Sequence, residues 1–153
     1  MPKRLNSSKS NIQSLVKEYQ NLFPDPFGIE CGDGWTELVR LICEFVKLNL
    51  ERHQELKGFK FDQIKEKFGY LRVYYSTIPN IGDKKTYQEF YKSLTDFVYA
   101  IETVSGIVCE DCGKIKNDKL NIQIRTPRGY WKKTLCDKCF EKEKKAYKNG
   151  RLP

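Results

Sequence analysis

Four cysteines fall in two matched pairs, Cys109-Glu110-Asp111-Cys112 and Cys136-Asp137-Lys138-Cys139. Each pair is C-x-x-C, the spacing of a metal-binding knuckle. Gly113 directly follows the first pair, and a helix-like run follows the second. A tetrahedral zinc ion takes four sulfur ligands at about 2.3 Å, and two knuckles supply all four. No coordination position then stays open for water, so the ion would hold structure and do no chemistry. The competing chemistry is two disulfides, or thiols without metal. The N-terminal residues Met1-Pro2-Lys3-Arg4 are basic and polar with no apolar stretch behind them, so no signal peptide is expected. A reducing cytoplasm is the expected location, which favours zinc over disulfides. Zn²⁺ on Cys109, Cys112, Cys136 and Cys139 is the expected cofactor, in a structural role.

Two cysteines are left over. Cys43 lies within a helical pattern and reads as a small core residue. Cys31 stands in Glu30-Cys31-Gly32-Asp33-Gly34-Trp35, where a thiol and two carboxylates could serve an enzyme. A thiolate nucleophile needs a nearby base, and the only histidine is His53, in a polar helix turn. Asp33 also has an ordinary role as a helix N-cap. Structural use of Glu30, Cys31 and Asp33 is therefore the leading reading, with an enzyme as an alternative.

Charge is the second signal. Residues 1–105 carry 15 Lys and Arg against 14 Asp and Glu, a net +1; residues 106–153 carry 13 against 6, a net +7. Four thiolates and one Zn²⁺ would lower the second figure to about +5. The basic character thus belongs to the cysteine-bearing segment, and such a patch attracts polyanions. A lysine-rich surface that only maintains solubility is the plainer reading. Arg125, Arg128, Trp131, Lys132 and Lys133 are candidates for a phosphate-bearing ligand, because cations neutralise phosphates and exposed aromatics stack on bases. Tyr130 joins them, although strand alternation lets only one of Tyr130 and Trp131 face outward. Lys65, Lys67, Arg72 and Tyr74 form a second candidate group on one face of a hairpin; the alternative is an ordinary amphipathic hairpin with a wet outer side.

These residues need elements to hold them. Residues 1–10 are polar and expected to be disordered. A helix is expected from Ile12 to about Phe23, ended by Pro24 and Pro26. A longer one, from Trp35 to about Glu55, has apolar residues on more than one side. Phe59 to Thr77 reads as a hairpin turning near Gly69-Tyr70, with Leu71, Val73 and Tyr75 inward. Residues 78–85 form a loop. Tyr87, Phe90, Leu94, Phe97, Ile101 and Val104 recur at helical spacing over Thr86–Ser105, and Gly106 is expected as a C-terminal cap. Strands over 120–125 and 130–135 flank a turn at Thr126-Pro127-Arg128-Gly129, and a last helix runs to about Tyr147. No apolar run approaches the roughly 20 residues of a membrane span, so no membrane partner is expected.

Four segments stand in a telling order: Cys31-Gly32-Asp33-Gly34-Trp35, then Lys65-Glu66-Lys67-Phe68-Gly69-Tyr70-Leu71-Arg72-Val73-Tyr74-Tyr75, then Cys109-Glu110-Asp111-Cys112-Gly113, then Gly129-Tyr130-Trp131 through Cys139. In this order they resemble a group of small uncharacterised bacterial and phage proteins. That group shares a CGDGW segment, a KEKFGGLRFYY-like segment and a C-terminal zinc knuckle pair. The chain departs from it at Tyr70, where Gly is usual, and at Cys139, where members can carry His. The resemblance implies the fold, the zinc and a phage or mobile-element setting, and supplies no activity.

The expected fold is α+β: helices on a short antiparallel hairpin over 11–106, with a docked treble-clef-like zinc module over 107–150. The expected function is that of a non-catalytic zinc-stabilised protein whose basic, aromatic surface takes nucleic acid or a nucleotide, with an accessory or anti-defence role in the phage-like setting. A protein–protein adaptor or inhibitor of a host protein is the other non-catalytic reading.

Overall fold

The computed structural model describes residues 11–78 and 84–150. The expectations for residues 1–10 and for the centre of the 78–85 loop lie outside the described residues. Helix α1 spans Asn11–Glu18, and Gln20–Leu22 adds one 3-10 turn. The helix expected to reach Phe23 breaks at Tyr19, whose φ of −116° and ψ of 38° leave the helical region. The Tyr19 ring is buried and its hydroxyl donates to Glu44 Oε1 at 2.5 Å. The break falls five residues before Pro24, the first of the two prolines.

Helix α2 spans Thr36–Arg52, with 3-10 turns at Asp33–Trp35 and Gln54–Leu56. The Asp33 side chain reaches back to α1. Its Oδ1 accepts the Ile12 N–H at 3.2 Å, so it serves the start of α1, an element 21 residues earlier. Helix α2 is packed on several sides, as its wide apolar arc requires: Val39, Ile42, Cys43 and Val46 are buried, and Phe45 stacks on Phe97 at 4.9 Å.

Strands β1 (Phe61–Lys67) and β2 (Tyr70–Tyr75) pair antiparallel, with Ile64 opposite Val73 and Lys67 opposite Tyr70. Phe68 and Gly69 make the connection with φ of 55° and 88°. Positive φ at both central residues is the type I′ turn, whose twist matches the strands it joins. Helix α3 (Lys84–Ser105) lies along β2 and satisfies its free edge. The Leu71 N–H donates to Ser105 Oγ and the Val73 N–H to Glu102 Oε1, both at 2.9 Å. On the other edge the Glu30 N–H donates to Ile64 O, and Glu66 N–H donates to Glu30 O. Neither edge is bare, which removes a template for unwanted strand addition. Gly106 follows α3 as expected of a C-terminal cap, its N–H donating to Thr103 O at 3.2 Å, but without a positive φ. It is small because a Cβ there would meet Tyr70 Cε1 at 2.6 Å.

Strands β3 (Ile122–Arg125) and β4 (Lys133–Cys136) form a second antiparallel pair, with Ile122 opposite Cys136. Both are shorter than their sequence pattern suggests, and residues 126–132 loop between them. Tyr130 and Trp131 therefore escape strand alternation and are both exposed. Helix α4 (Asp137–Lys148) follows at once and stops at Asn149-Gly150, where φ turns positive. Buried apolar residues form two clusters. The larger joins α1, α2, α3 and the first hairpin; the smaller holds Cys109, Ile122, Leu135 and Cys136. The architecture is α+β. No described helix is long and apolar enough to cross a membrane.

Candidate metal centre

The four sulfurs of Cys109, Cys112, Cys136 and Cys139 all lie within 4.8 Å of one another. All are free thiols, and Cys112 Sγ stands 3.9 Å from Cys136 Sγ. Four sulfurs bonded tetrahedrally at about 2.3 Å to one ion are separated by about 3.8 Å along each edge. The cluster can therefore hold a metal ion with little rearrangement. The first knuckle is closed by the Gly113 N–H donating to Cys109 O at 2.8 Å, with Gly113 at a φ of 76°. The second is the junction of β4 with α4, and the Cys136 N–H points to Cys109 Sγ at 3.5 Å. Burial pushes the Cys109 thiol up, and likewise Cys139. Burial also opposes ionisation of Cys136, but the Cys139 N–H and the neighbouring thiols outweigh it and bring that thiol down. Four thiolates so close together repel one another, and a central cation is what such a site calls for.

The Cys31–Trp35 segment is the clasp on this knuckle. The Gly34 N–H donates to Glu110 O at 2.6 Å, the Gly32 N–H to Glu110 Oε1 at 3.0 Å, and buried Trp35 donates through Nε1 to Val108 O at 2.9 Å. A Cβ on Gly32 would sit 2.5 Å from Glu110 O, and one on Gly34 only 2.2 Å from Cys109 O. Both glycines are there because backbone meets backbone. From the β-hairpin side, Thr134 Oγ1 donates to Gly69 O, while the Glu110 N–H donates to Thr134 O. Sequence reading missed this role, since the partners are 73 to 78 residues apart.

Glu110 is the strained member. Its side chain is buried, with Oε1 on the Gly32 N–H and Oε2 without a hydrogen-bond partner among the described residues. Burial raises its pKa from 4.5 to about 7, opposed by Lys133 and the Gly32 N–H and helped by Glu66 and Asp111. A four-thiolate zinc site, net −2, would push in the same direction. The folded state thus holds this proton more tightly than the unfolded chain. The contribution is fully present below pH 4.5 and is lost as pH rises through about 7. The Glu110→Gln variant has nothing to ionise there. Its melting temperature relative to the parent is expected to climb as pH goes from 5 to 8, by the equivalent of on the order of 3 kcal/mol. A constant difference across that range would refute the assignment.

The basic residues singled out from sequence divide into those held in ion pairs and those that meet at a cleft. Arg125 pairs with Asp137 and lies 4.8 Å over the Phe140 ring; Arg128 pairs with Glu143 at 3.1 Å. Lys133 bridges Asp111 at 2.7 Å and Glu143 at 2.9 Å. Arg72 reaches Glu102 on α3 at 3.3 Å and stacks over Tyr70. These four hold the structure together. Lys65 leans over the exposed Tyr74 ring at 5.7 Å on the outer face of the first hairpin. Lys67, Lys132 and Trp131 do meet. With Phe68, Tyr130 and Glu66 they line one cleft of about 280 Å³, between the tip of the first hairpin and the 126–132 loop. Phe68, Tyr130 and Trp131 are 67, 68 and 52% exposed, so none serves as a core anchor. Phe68 is the residue that sequence reading passed over. The signal was there: a bulky aromatic directly before the glycine of a two-residue turn.

Cys31 and Asp33 line one cleft with Asp111, Lys133 and Glu143, and Glu30 is not among its lining residues. Glu30 Oε1 accepts from Gln63 Nε2 at 3.3 Å on the hairpin edge. Cys31 packs against the main core, where burial and then the Glu110, Asp33 and Glu66 carboxylates push its thiol up, the reverse of an activated nucleophile. His53 follows the last residue of α2 while Cys31 precedes its first, so a helix of 17 residues, about 25 Å long, runs between them. No protein-family model, curated protein or solved structure compared with the chain matches it.

Proposed function

We propose that this chain is a non-catalytic nucleic-acid-binding protein whose C-terminal segment is folded around one structural zinc ion. The observation that carries the reading is Phe68. A phenylalanine at a φ of 55° is in the left-handed region, which costs an L-residue with a bulky side chain about 1–2 kcal/mol. Asn or Gly would fill that turn position without the cost. The ring is mostly exposed, so burial does not offset the strain. Strain without a packing return points to use. Lys67 Nζ and Lys132 Nζ stand 5.8 and 5.7 Å from the ring centroid, and Tyr130 and Trp131 share its cleft. Aromatic faces that accept bases, framed by ammonium groups that accept phosphates, form a nucleic-acid surface. The zinc makes the surface possible, because it fixes the 126–132 loop against the hairpin tip. The phage or mobile-element setting implied by the sequence resemblance fits an accessory role of this kind.

Phe68→Gly separates function from folding. It removes the ring and the backbone strain together. The variant is expected to melt at or above the temperature of the parent, yet to bind a fluorescent single-stranded oligonucleotide about 10-fold more weakly by anisotropy. Parent affinity should fall steeply between 50 and 200 mM salt. Undetectable or salt-insensitive binding by the parent would overturn the reading.

A further inference from the structure

The loop of residues 126–132 walls a second cleft on its other side. Arg128, Phe140, Lys144, Tyr147 and Lys148 line it, in a volume of about 380 Å³. Lys144 Nζ lies 5.5 Å over the Phe140 ring, and Tyr147 is partly exposed. The first cleft takes its wall from Tyr130, Trp131 and Lys132; the second takes its wall from Thr126 to Gly129. The division of the loop between the two linings falls at the Gly129–Tyr130 peptide. Gly129 has a φ of 85° and nothing within 4 Å of where a Cβ would lie, so that turn of the loop is open. Each cleft pairs aromatic rings with lysines, and the repeat of that pattern on either side of one loop is the informative feature.

We infer that the ligand is an unpaired polynucleotide strand that crosses the 126–132 loop, stacking bases in the Phe68–Trp131 cleft and again beside Tyr147. This rests on the nucleic-acid reading above and adds to it the strandedness, the length and a second subsite. A mononucleotide would fill one cleft and leave the other without a role. A duplex hides its base faces from both. A strand that reaches two stacking platforms should span on the order of four or more nucleotides. The sugar is not distinguished by these contacts, so DNA and RNA strands are tested side by side.

The test measures binding of ATP and of dT2, dT8 and rU8 to the full chain, with a 20-base-pair duplex as competitor. An 8-mer, of DNA or RNA, is expected to bind at least 10-fold more tightly than dT2 or ATP, and the duplex should compete poorly. The double variant Lys144→Ala, Tyr147→Ala is expected to weaken 8-mer binding about 10-fold while leaving dT2 unchanged. Its salt slope should be shallower by about 0.7 for the lost phosphate contact. Phe68→Gly should weaken both lengths. Unchanged zinc content and melting temperature certify that the double variant is folded; Lys148→Ala alone, at the exposed end of α4, repeats the slope measurement if it is not. ATP or dT2 binding as tightly as the 8-mer, duplex competing equally, or an unaffected double variant each overturns the two-cleft strand and leaves a single-cleft nucleotide site standing. No binding of any strand or nucleotide overturns the parent reading as well.

Discussion

Withdrawing the metal is expected to unfold residues 107–150 and leave the helical body largely folded. The second cluster has too little apolar material to stand alone: among the described residues Ile122 and Leu135 are its only buried aliphatic side chains, beside Cys109 and Cys136, with Leu120 and Phe140 partly covered. Such side chains contribute roughly 2–3 kcal/mol each when fully buried. Ion pairs such as Arg128–Glu143 and Lys133–Asp111 add little net stability to that. A structural zinc ion, at about 10–16 kcal/mol of apparent binding free energy, would be the largest single contribution to this segment. The protein should release one zinc per chain to a strong chelator, and amide exchange should lose protection across 107–150 in the same step. Cys136→Ser should reach that state without chelator. Acid should favour release, because the thiolates must reprotonate to let go. The larger cluster is built from other residues and should persist. Retained protection in 107–150 after complete metal loss would remove the ion from the account. An iron absorption spectrum would replace zinc by a different tetrahedral thiolate metal.

What could be read from the sequence depended on how local the cause is. The α3 pattern and the 61–75 hairpin were legible because a period of 3.6 or 2 is a property of the segment itself. The two C-x-x-C pairs were legible because the ligand spacing fixes the knuckle. Contacts between distant segments were not. Gly106 was legible as a cap, but its contact with Tyr70 was not. Asp33 looked like a cap for the helix that follows it, and it serves the helix before it. Net charge placed a basic surface on residues 106–153, yet counting could not pair Arg125 with Asp137 or Arg128 with Glu143. Those pairs commit both guanidinium groups to carboxylates. The cleft that remains is assembled from two hairpins, at residues 66–68 and 130–132. No reading of either hairpin alone would find it.

Gly34→Ala is expected to be the most damaging single methyl group that can be added to the clasp. The new Cβ would lie 2.2 Å from Cys109 O and 2.5 Å from both the carbon and the oxygen of the Glu110 carbonyl. All three are backbone atoms of the first knuckle, so no side chain can rotate aside. Either the knuckle retreats or the 31–35 segment does. Retreat breaks the Gly34 N–H bond to Glu110 O and strains the Trp35 bond to Val108 O. Overpacking of this kind costs about 1–3 kcal/mol, and a buried carbonyl left without its donor about 1–3 more. A combined loss of about 2–6 kcal/mol lowers the melting temperature of a chain this long by roughly 4–24 °C. Zinc should also leave faster, since the knuckle that holds Cys109 and Cys112 has lost its backing. Gly28→Ala is the matched control, with no atom within 4 Å of its Cβ and no positive φ, and it should melt within about 2 °C of the parent. Equal melting temperatures for the two variants would mean that the Cys31–Trp35 segment does not grip the metal knuckle, and the loop it steadies would lose its claim to present a fixed binding face.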